Sequence, residues 1–282
     1  MKKGLILEGG AMRGLFTAGV MDVLMEHEIK FDGAVGVSAG AAFGCNYKSG
    51  QIGRVLRYNT RFCADKRYGG LGVLLKTGNI YSTDFAYGEV PLVHDVFDFD
   101  SYESNPMDFY VVCTDINTGK PVYHKYEGFN DHCFEWIRAS ASMPLVSKTV
   151  KIDGLEMLDG GISDSIPIKF FQELGYEKNI LVLTRPITYR KEKDKLLPLM
   201  KVKYRAYPKL IKTMENRHTE YNATLDYILE EEQKSRIFVI RPDDALPVSR
   251  VEKDPEKLRA AYNIGREKTL MLLEQIKNYL NE

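Results

Sequence analysis

Two small constellations in this chain could carry chemistry: a serine set between glycines, and an aspartate placed ahead of a glycine pair. Gly36-Val37-Ser38-Ala39-Gly40 follows the short apolar run Gly33-Ala34-Val35 and opens a run of small residues, Ala41-Ala42-Phe43-Gly44-Cys45. That pattern reads as a strand entering a helix through a sharp corner. Flanking glycines let neighbouring backbone pass close and push the serine hydroxyl into the open, which is how a nucleophile is displayed. Asp159-Gly160-Gly161 follows two short apolar stretches around an Asp-Gly turn in residues 150–158, a pattern that predicts a hairpin ending on Asp159. Taken alone, such an Asp-Gly pair reads as an ordinary turn with no chemical role.

A third feature stands at the start of the chain. Leu5-Ile6-Leu7 reads as a buried strand, Glu8-Gly9-Gly10-Ala11-Met12-Arg13-Gly14 as a turn, and residues 15–26 as a helix with Phe16, Val20, Val23 and Leu24 at helical spacing. Backbone N–H groups at such a helix start have no intrahelical acceptor and attract anions. The occupant is either a phosphate or the transient oxyanion of an acyl transfer. A Walker-type phosphate loop is excluded, because Gly14 is followed by Leu15-Phe16 instead of Lys-Ser/Thr. A dinucleotide fingerprint is the weaker alternative: Ala11 stands where a third glycine belongs, and Asp32, at the spacing of a ribose-binding acid, precedes its strand.

A serine nucleophile commonly takes a histidine as its base. The five histidines are His27, His94, His124, His132 and His218, and only His218 follows both Ser38 and Asp159. It lies in Glu215-Asn216-Arg217-His218-Thr219-Glu220, which reads as a solvated helix face. A carboxylate acting directly as base is the economical alternative.

With these residues in view, the chain resembles the patatin-like phospholipase family. Three blocks carry the resemblance in order: Gly9-Gly10-Ala11-Met12-Arg13-Gly14, Gly36-Val37-Ser38-Ala39-Gly40 and Asp159-Gly160-Gly161. A looser fourth block, Ala-Ser-x-x-x-Pro, is matched by Ala139-Ser140-Ala141-Ser142-Met143-Pro144. The resemblance spans residues 5 to about 170 and implies a three-layer α/β sandwich, a mostly parallel sheet with helices on both faces. It implies a serine lipid acyl hydrolase of the phospholipase A type, with Ser38 attacking an ester carbonyl and Asp159 accepting its proton. The backbone of Gly9, Gly10 and Ala11 would hold the oxyanion, with Arg13, Gly14, Gly36, Gly40, Gly160 and Gly161 supporting the motifs. The family's third glycine is Ala11 here, and any left-handed backbone is expected at Gly9 or Gly10. Arg13 would brace the turn or face a lipid phosphate; otherwise it is a surface arginine paired with a carboxylate.

Composition agrees with a globular enzyme of 282 residues, 44% apolar and 28% charged. Formal net charge is zero, which gives no general pull toward nucleic acid or membrane. The apolar run after Lys2-Lys3 stops at Glu8, too short for a signal peptide, and no stretch approaches the roughly 18 apolar residues of a membrane span. Cytoplasm is the expectation. Cys45, Cys63, Cys113 and Cys133 are widely spaced and are read as reduced, partly buried thiols. No metal and no cofactor are implied.

The remaining elements alternate. Residues 51–65 read as a helix, 68–75 as a flexible apolar loop, 108–114 and 121–125 as neighbouring strands, 134–142 as a helix and 179–184 as another buried strand. Such alternation argues for a largely parallel sheet covered on both faces. Residues 185–212 hold ten Lys/Arg, Glu192 and Asp194, and Leu196, Leu199, Met200, Tyr204 and Leu210 among them. Either this surface rests on anionic lipid, or it is a solvated helical excursion paired with acids such as Glu230-Glu231-Glu232. A strand at 236–242 and a helix at 255–280 close the chain. The whole reads as a single domain, with residues 186–235 an insertion and 236–282 a strand and helix that rejoin the main sheet. Two functions compete: an acyl hydrolase, and a non-catalytic protein that binds a nucleotide or lipid phosphate at the Gly9–Gly14 turn.

Overall fold

In the first strand, β1 (Lys2–Leu7), Leu5 and Leu7 face one side and Ile6 the other, and all three are fully buried. A strand with apolar residues on both faces needs cover on both. The computed structural model, which describes residues 1–128 and 134–281, supplies it. Five strands run parallel in the order β3 (Asp108–Asp115), β2 (Gly33–Val37), β1, β7 (Tyr176–Val182) and β8 (Ile237–Ile240). Three antiparallel strands complete the sheet at the β3 end: β4 (Pro121–Lys125), β5 (Val150–Ile152) and β6 (Leu155–Asp159).

Over one face lie α1 (Gly14–Glu26), α2 (Ala39–Lys48), α3 (Arg54–Phe62), α5 (Phe99–Ser104), α6 (Glu135–Ser140) and α10 (Pro255–Asn281). The short α4 (Leu71–Thr77) sits near the surface. Over the opposite face lie α7 (Ile168–Glu173) and α9 (Pro208–Gln233), whose Phe171, Tyr221, Leu225 and Ile228 meet Ile6, Val35 and Leu181. The start of α9 and α8 (Leu197–Lys203) close a smaller apolar cluster with Leu158 and Ile162. This is the expected α/β sandwich.

The pairing register explains how residues far apart in sequence meet. Val112 of β3 pairs with Val37 of β2 and Tyr123 of β4, while the next residue, Cys113, pairs with Val122 of β4 and Asp159 of β6. A strand has two edges, and β4 occupies one of them at both residues. β2 and β6 therefore share the other edge, arriving from opposite directions and ending against consecutive residues of β3. The residue after Val37 is Ser38, and the last residue of β6 is Asp159.

The hairpin that delivers Asp159 turns at Asp153 and Gly154, both at positive φ (51° and 76°), as expected. One expectation fails: residues 68–75 do not form a loop, because Leu71–Thr77 is helical. Of the glycines that read as flexibility, Gly70 at φ 114° caps the helix start and Gly72 lies inside it, while Gly78 at φ 80° ends it with its N–H bonded to the Leu74 carbonyl. The anticipated pairing of Glu230-Glu231-Glu232 with residues 185–212 also fails. Glu230 and Glu231 engage Lys234, Glu231 engages Arg236, and Glu232 engages Arg241, all within reach along the chain. β8 does rejoin the sheet beside β7.

The C-terminal helix reaches back to the start of the chain. α10 crosses α1 so closely that a β-carbon on Gly19 would stand 2.0 Å from the Tyr262 carbonyl oxygen, and one on Gly265 would stand 2.1 Å from that of Phe16. Only glycine at both crossing points permits this approach. Tyr262 then donates to Asp22 (2.6 Å), and Arg266 forks onto Glu26 (2.7 and 2.8 Å). The helix that follows the Gly9–Gly14 turn is thus held from the far end of the chain.

Candidate active site

Ser38 sits between β2 and α2 with φ 56° and ψ −120°, a conformation few non-glycine residues adopt. The corner exists because Gly36 and Gly40 have no side chains. A β-carbon on Gly36 would lie 2.4 Å from the Gly40 carbonyl oxygen, and one on Gly40 would lie 2.3 Å from that of Leu7. The backbone is pinned by a residue of the fourth block: the Ser38 N–H donates to Ser140 Oγ (2.8 Å), whose own hydroxyl donates to the Val112 carbonyl (2.6 Å). Ser140 is fully buried. Sequence reading placed it in a motif but gave it no task, since its partners lie 102 and 28 residues away.

The Ser38 hydroxyl faces the Asp159 carboxylate, close enough to favour its ionised form, and both line one cavity. Asp159 is buried (5% exposed), and its backbone is fixed by donation from its N–H to the Ser142 carbonyl (2.9 Å) and by Thr114 Oγ1 on its own carbonyl (2.8 Å). Its Oδ1 accepts the Gly161 N–H (2.8 Å). Burial raises its pKa above the usual 3.8, against the opposing pull of the Ser38 hydroxyl, Arg217, the Gly161 N–H and Lys191. Gly160 packs onto the β3 backbone, where a β-carbon would meet the Val112 carbonyl oxygen at 2.1 Å. A carboxylate with a raised pKa, facing a hydroxyl, is equipped to accept its proton.

Gly9 lies directly against Ser38, since a β-carbon on it would stand 2.9 Å from Ser38 Cβ. Among the described residues the N–H groups of Gly9, Gly10 and Ala11 have no acceptor. The left-handed residue of the turn is Ala11 itself, at φ 49°, whereas Gly10 is extended at φ −164°. This corrects the expectation that a glycine would take that geometry. The strain of about 1–3 kcal/mol such a conformation costs is borne at a residue lining both cavities beside Ser38. Glu8, just before the turn, ties it down: its buried carboxylate accepts from the Thr184 N–H (2.6 Å), the Thr184 hydroxyl (3.0 Å) and the Tyr221 hydroxyl (2.5 Å). These partners, 176 and 213 residues distant, left no local signal.

Arg13 is not a paired surface arginine. Its Nε is buried with no hydrogen-bond partner, and burial, then Arg185, lowers its pKa. Gly14 packs under the Phe43 ring. Asp32 is spent on the Lys3 N–H (2.7 Å), which removes it from any ribose role. No described histidine lines the cavities at Ser38. His94 packs beside Phe62 and Phe85, His124 stacks on Trp136 (3.9 Å between centroids), and His132 lies outside the described residues. Cys45, Cys63 and Cys113 are buried and form no disulfide among the described residues, and Cys133 lies outside the described residues.

Two cavities meet at Ser38, sharing Ala11, Ser38 and Met143. One, of about 100 Å³, is mostly apolar, with Met12, Ala42, Phe43, Tyr58 and Val90 in its walls. The other, of about 250 Å³, holds Asp159 and several cations. Among the described residues no helix is long and apolar enough to cross a membrane.

Comparison with known proteins gives two family matches: the patatin-like phospholipase model over residues 5–171 and a domain of unknown function (DUF6363) over residues 207–281. The uncharacterized protein YjjU of Escherichia coli is 30% identical over 278 residues, covering 93% of this chain and 74% of that protein. Lysophospholipase nte1 of Aspergillus fumigatus is 27% identical over 177 residues, and the match spans 61% of this chain but 11% of that much longer protein. The crystal structure of VipD from Legionella pneumophila aligns with a TM-score of 0.48 at 12% identity, covering 97% of this chain and 67% of that one.

Proposed function

Because the chain belongs to the patatin-like phospholipase family, a family of lipid hydrolases, we propose that it is a serine acyl-ester hydrolase using Ser38 and Asp159 without a histidine. Ser38 Oγ attacks the ester carbonyl carbon as its proton passes to Asp159. The N–H groups of Gly9, Gly10 and Ala11 stabilise the oxyanion. Collapse breaks the bond to the alcohol, which leaves with the proton held by Asp159. Water, deprotonated by Asp159, then attacks acyl-Ser38, and the serine regains its proton as the acid departs. The acyl chain occupies the apolar cavity on the α2 side. What carries this reading is a serine hydroxyl facing a buried carboxylate of raised pKa in one cavity, beside a turn whose N–H groups are unspent. Incubation with an alkyl fluorophosphonate followed by peptide mapping is expected to place one adduct, on Ser38. An unlabelled chain, or an adduct elsewhere, would overturn the assignment.

The ester reaches the cleft from a lipid surface through residues 185–212. Leu196 and Met200 line the cleft, while Leu196, Leu199 and Val202 are 53%, 55% and 67% exposed among Lys195, Lys201 and Lys203. Apolar side chains framed by lysines suit adsorption to anionic headgroups. Sedimentation with phosphatidylglycerol vesicles, lost at high salt and absent with phosphatidylcholine, is the expected result. Equal binding to both would remove the basic segment from the account.

A further inference from the structure

The apolar cavity beside Ser38 has a definite far end. Ala39, Ala42 and Cys45 recur at every third position of α2 and form a stripe of small side chains along one wall. α3 runs back beside α2 in the opposite direction. Arg54, its first residue, donates to Asn46 Oδ1 (2.8 Å), and Tyr58, one turn later, packs edge-on against Phe43 (6.4 Å between centroids). Tyr58 is thus the nearer to Ser38, and Arg54 stands level with the last turn of α2. Among the described residues, α2 lines the cavity no further than Cys45.

Arg54 is fixed where it closes the passage. It is 4% exposed, and its Nε and one terminal nitrogen both donate to the Asp95 carbonyl (3.0 and 2.5 Å). The Asp95 carboxylate lies 3.4 Å from Nε, and the Tyr58 and Phe97 rings cover the guanidinium (5.2 and 5.3 Å to their centroids). A hydrocarbon chain gains free energy for each methylene laid against the small-residue wall. To pass Arg54 it would have to break three buried hydrogen bonds of a charged group, which no apolar contact replaces.

The distance available sets the chain length. From Ser38 to Cys45 the helix rises about 10 Å. An extended chain advances about 1.2 Å per bond, so the passage holds about eight carbons. We propose that Arg54 is the stop of the acyl site and restricts the hydrolase to medium-chain acyl groups, with long fatty acyl chains excluded. This rests on the hydrolase reading above.

The test measures kcat/KM for p-nitrophenyl butyrate, octanoate and dodecanoate, each below its aggregation concentration. Going from butyrate to octanoate should raise kcat/KM at least about tenfold, and going on to dodecanoate should lower it at least about tenfold. In Arg54→Ala the maximum is expected to move to dodecanoate. In Ala42→Phe, which fills the wall one turn from Ser38, it is expected to move to butyrate. Arg54→Gln, which keeps an N–H for the Asp95 carbonyl, takes the place of Arg54→Ala if circular dichroism shows that chain unfolded. Butyrate cleavage by the parent chain reports separately on the hydrolase itself. If butyrate is cleaved and kcat/KM goes on rising to dodecanoate, the stop is refuted while the hydrolase stands. A maximum that stays at octanoate in the folded Arg54 variant also overturns the proposal, because another group then sets the length. A parent chain that cleaves none of the three esters removes the hydrolase reading, and the stop with it.

Discussion

Asp159→Asn is expected to lose ester turnover by about 10²–10⁴-fold, the usual worth of a general base, while unfolding at a higher temperature than the parent chain at neutral pH. The two effects have one cause. The Asp159 pKa is raised in the folded chain, chiefly by burial, so the folded state holds a proton more tightly than the unfolded state does. Stability contributed by this group is present below the usual value of 3.8 and declines as pH rises through the raised folded value. At neutral pH the chain therefore carries a buried carboxylate at a cost, and an amide that keeps the Gly161 hydrogen bond removes that cost. In catalysis the sign is reversed, because only the ionised form accepts the Ser38 proton. The acid limb of kcat/KM is thus expected above the ordinary carboxylate range, and the Asn variant should lack it. Thermal unfolding with steady-state turnover on both chains decides the matter. Lower stability in Asp159→Asn with activity retained would remove Asp159 from the chemistry.

Ser140→Ala tests how the serine corner is held. One hydroxyl accepts the Ser38 N–H and donates to the Val112 carbonyl, so its removal leaves two buried backbone groups unpaired, at a cost of about 1–3 kcal/mol. The corner itself stores about 1–3 kcal/mol of strain at φ 56°, and relaxing it would swing Ser38 away from Asp159. A displacement near 1 Å can cost about 10²-fold in rate, so kcat should fall by roughly ten- to a hundredfold at temperatures where the variant is fully folded, with KM little changed. Chemical denaturation and initial rates measured together separate the two effects. A destabilised variant with parental kcat would reduce Ser140 to a packing role.

The local pattern of residues was enough to show the parts of the site. Glycines around Ser38 and the Asp-Gly turn before Asp159 report on themselves, because corners and hairpins depend on φ and on close backbone approach within a few residues. The largely parallel sheet and its burial on both faces followed in the same way, from the alternation of strands with helices and from apolar runs such as Leu5-Ile6-Leu7. Local pattern misled where glycine had two meanings. Within 68–75 it marked a helix start at Gly70 and a helix interior at Gly72 instead of a mobile loop, and at Gly9–Ala11 the left-handed residue was the alanine.

Partnership was a different matter. That Ser38 faces Asp159 depends on β2 and β6 ending against neighbouring residues of one edge of β3, and no interval of sequence encodes that register. Ser140 beneath Ser38, Glu8 under Thr184 and Tyr221, and cations gathered from residues 13 to 250 belong to the same class. Residue types and their short-range spacing determined that a serine corner, an acid at a hairpin end and a glycine-rich turn exist in this chain. Only tertiary structure decided that they share one cleft, since hydrogen bonds and charges act over a few ångströms in space while their owners lie up to more than two hundred residues apart.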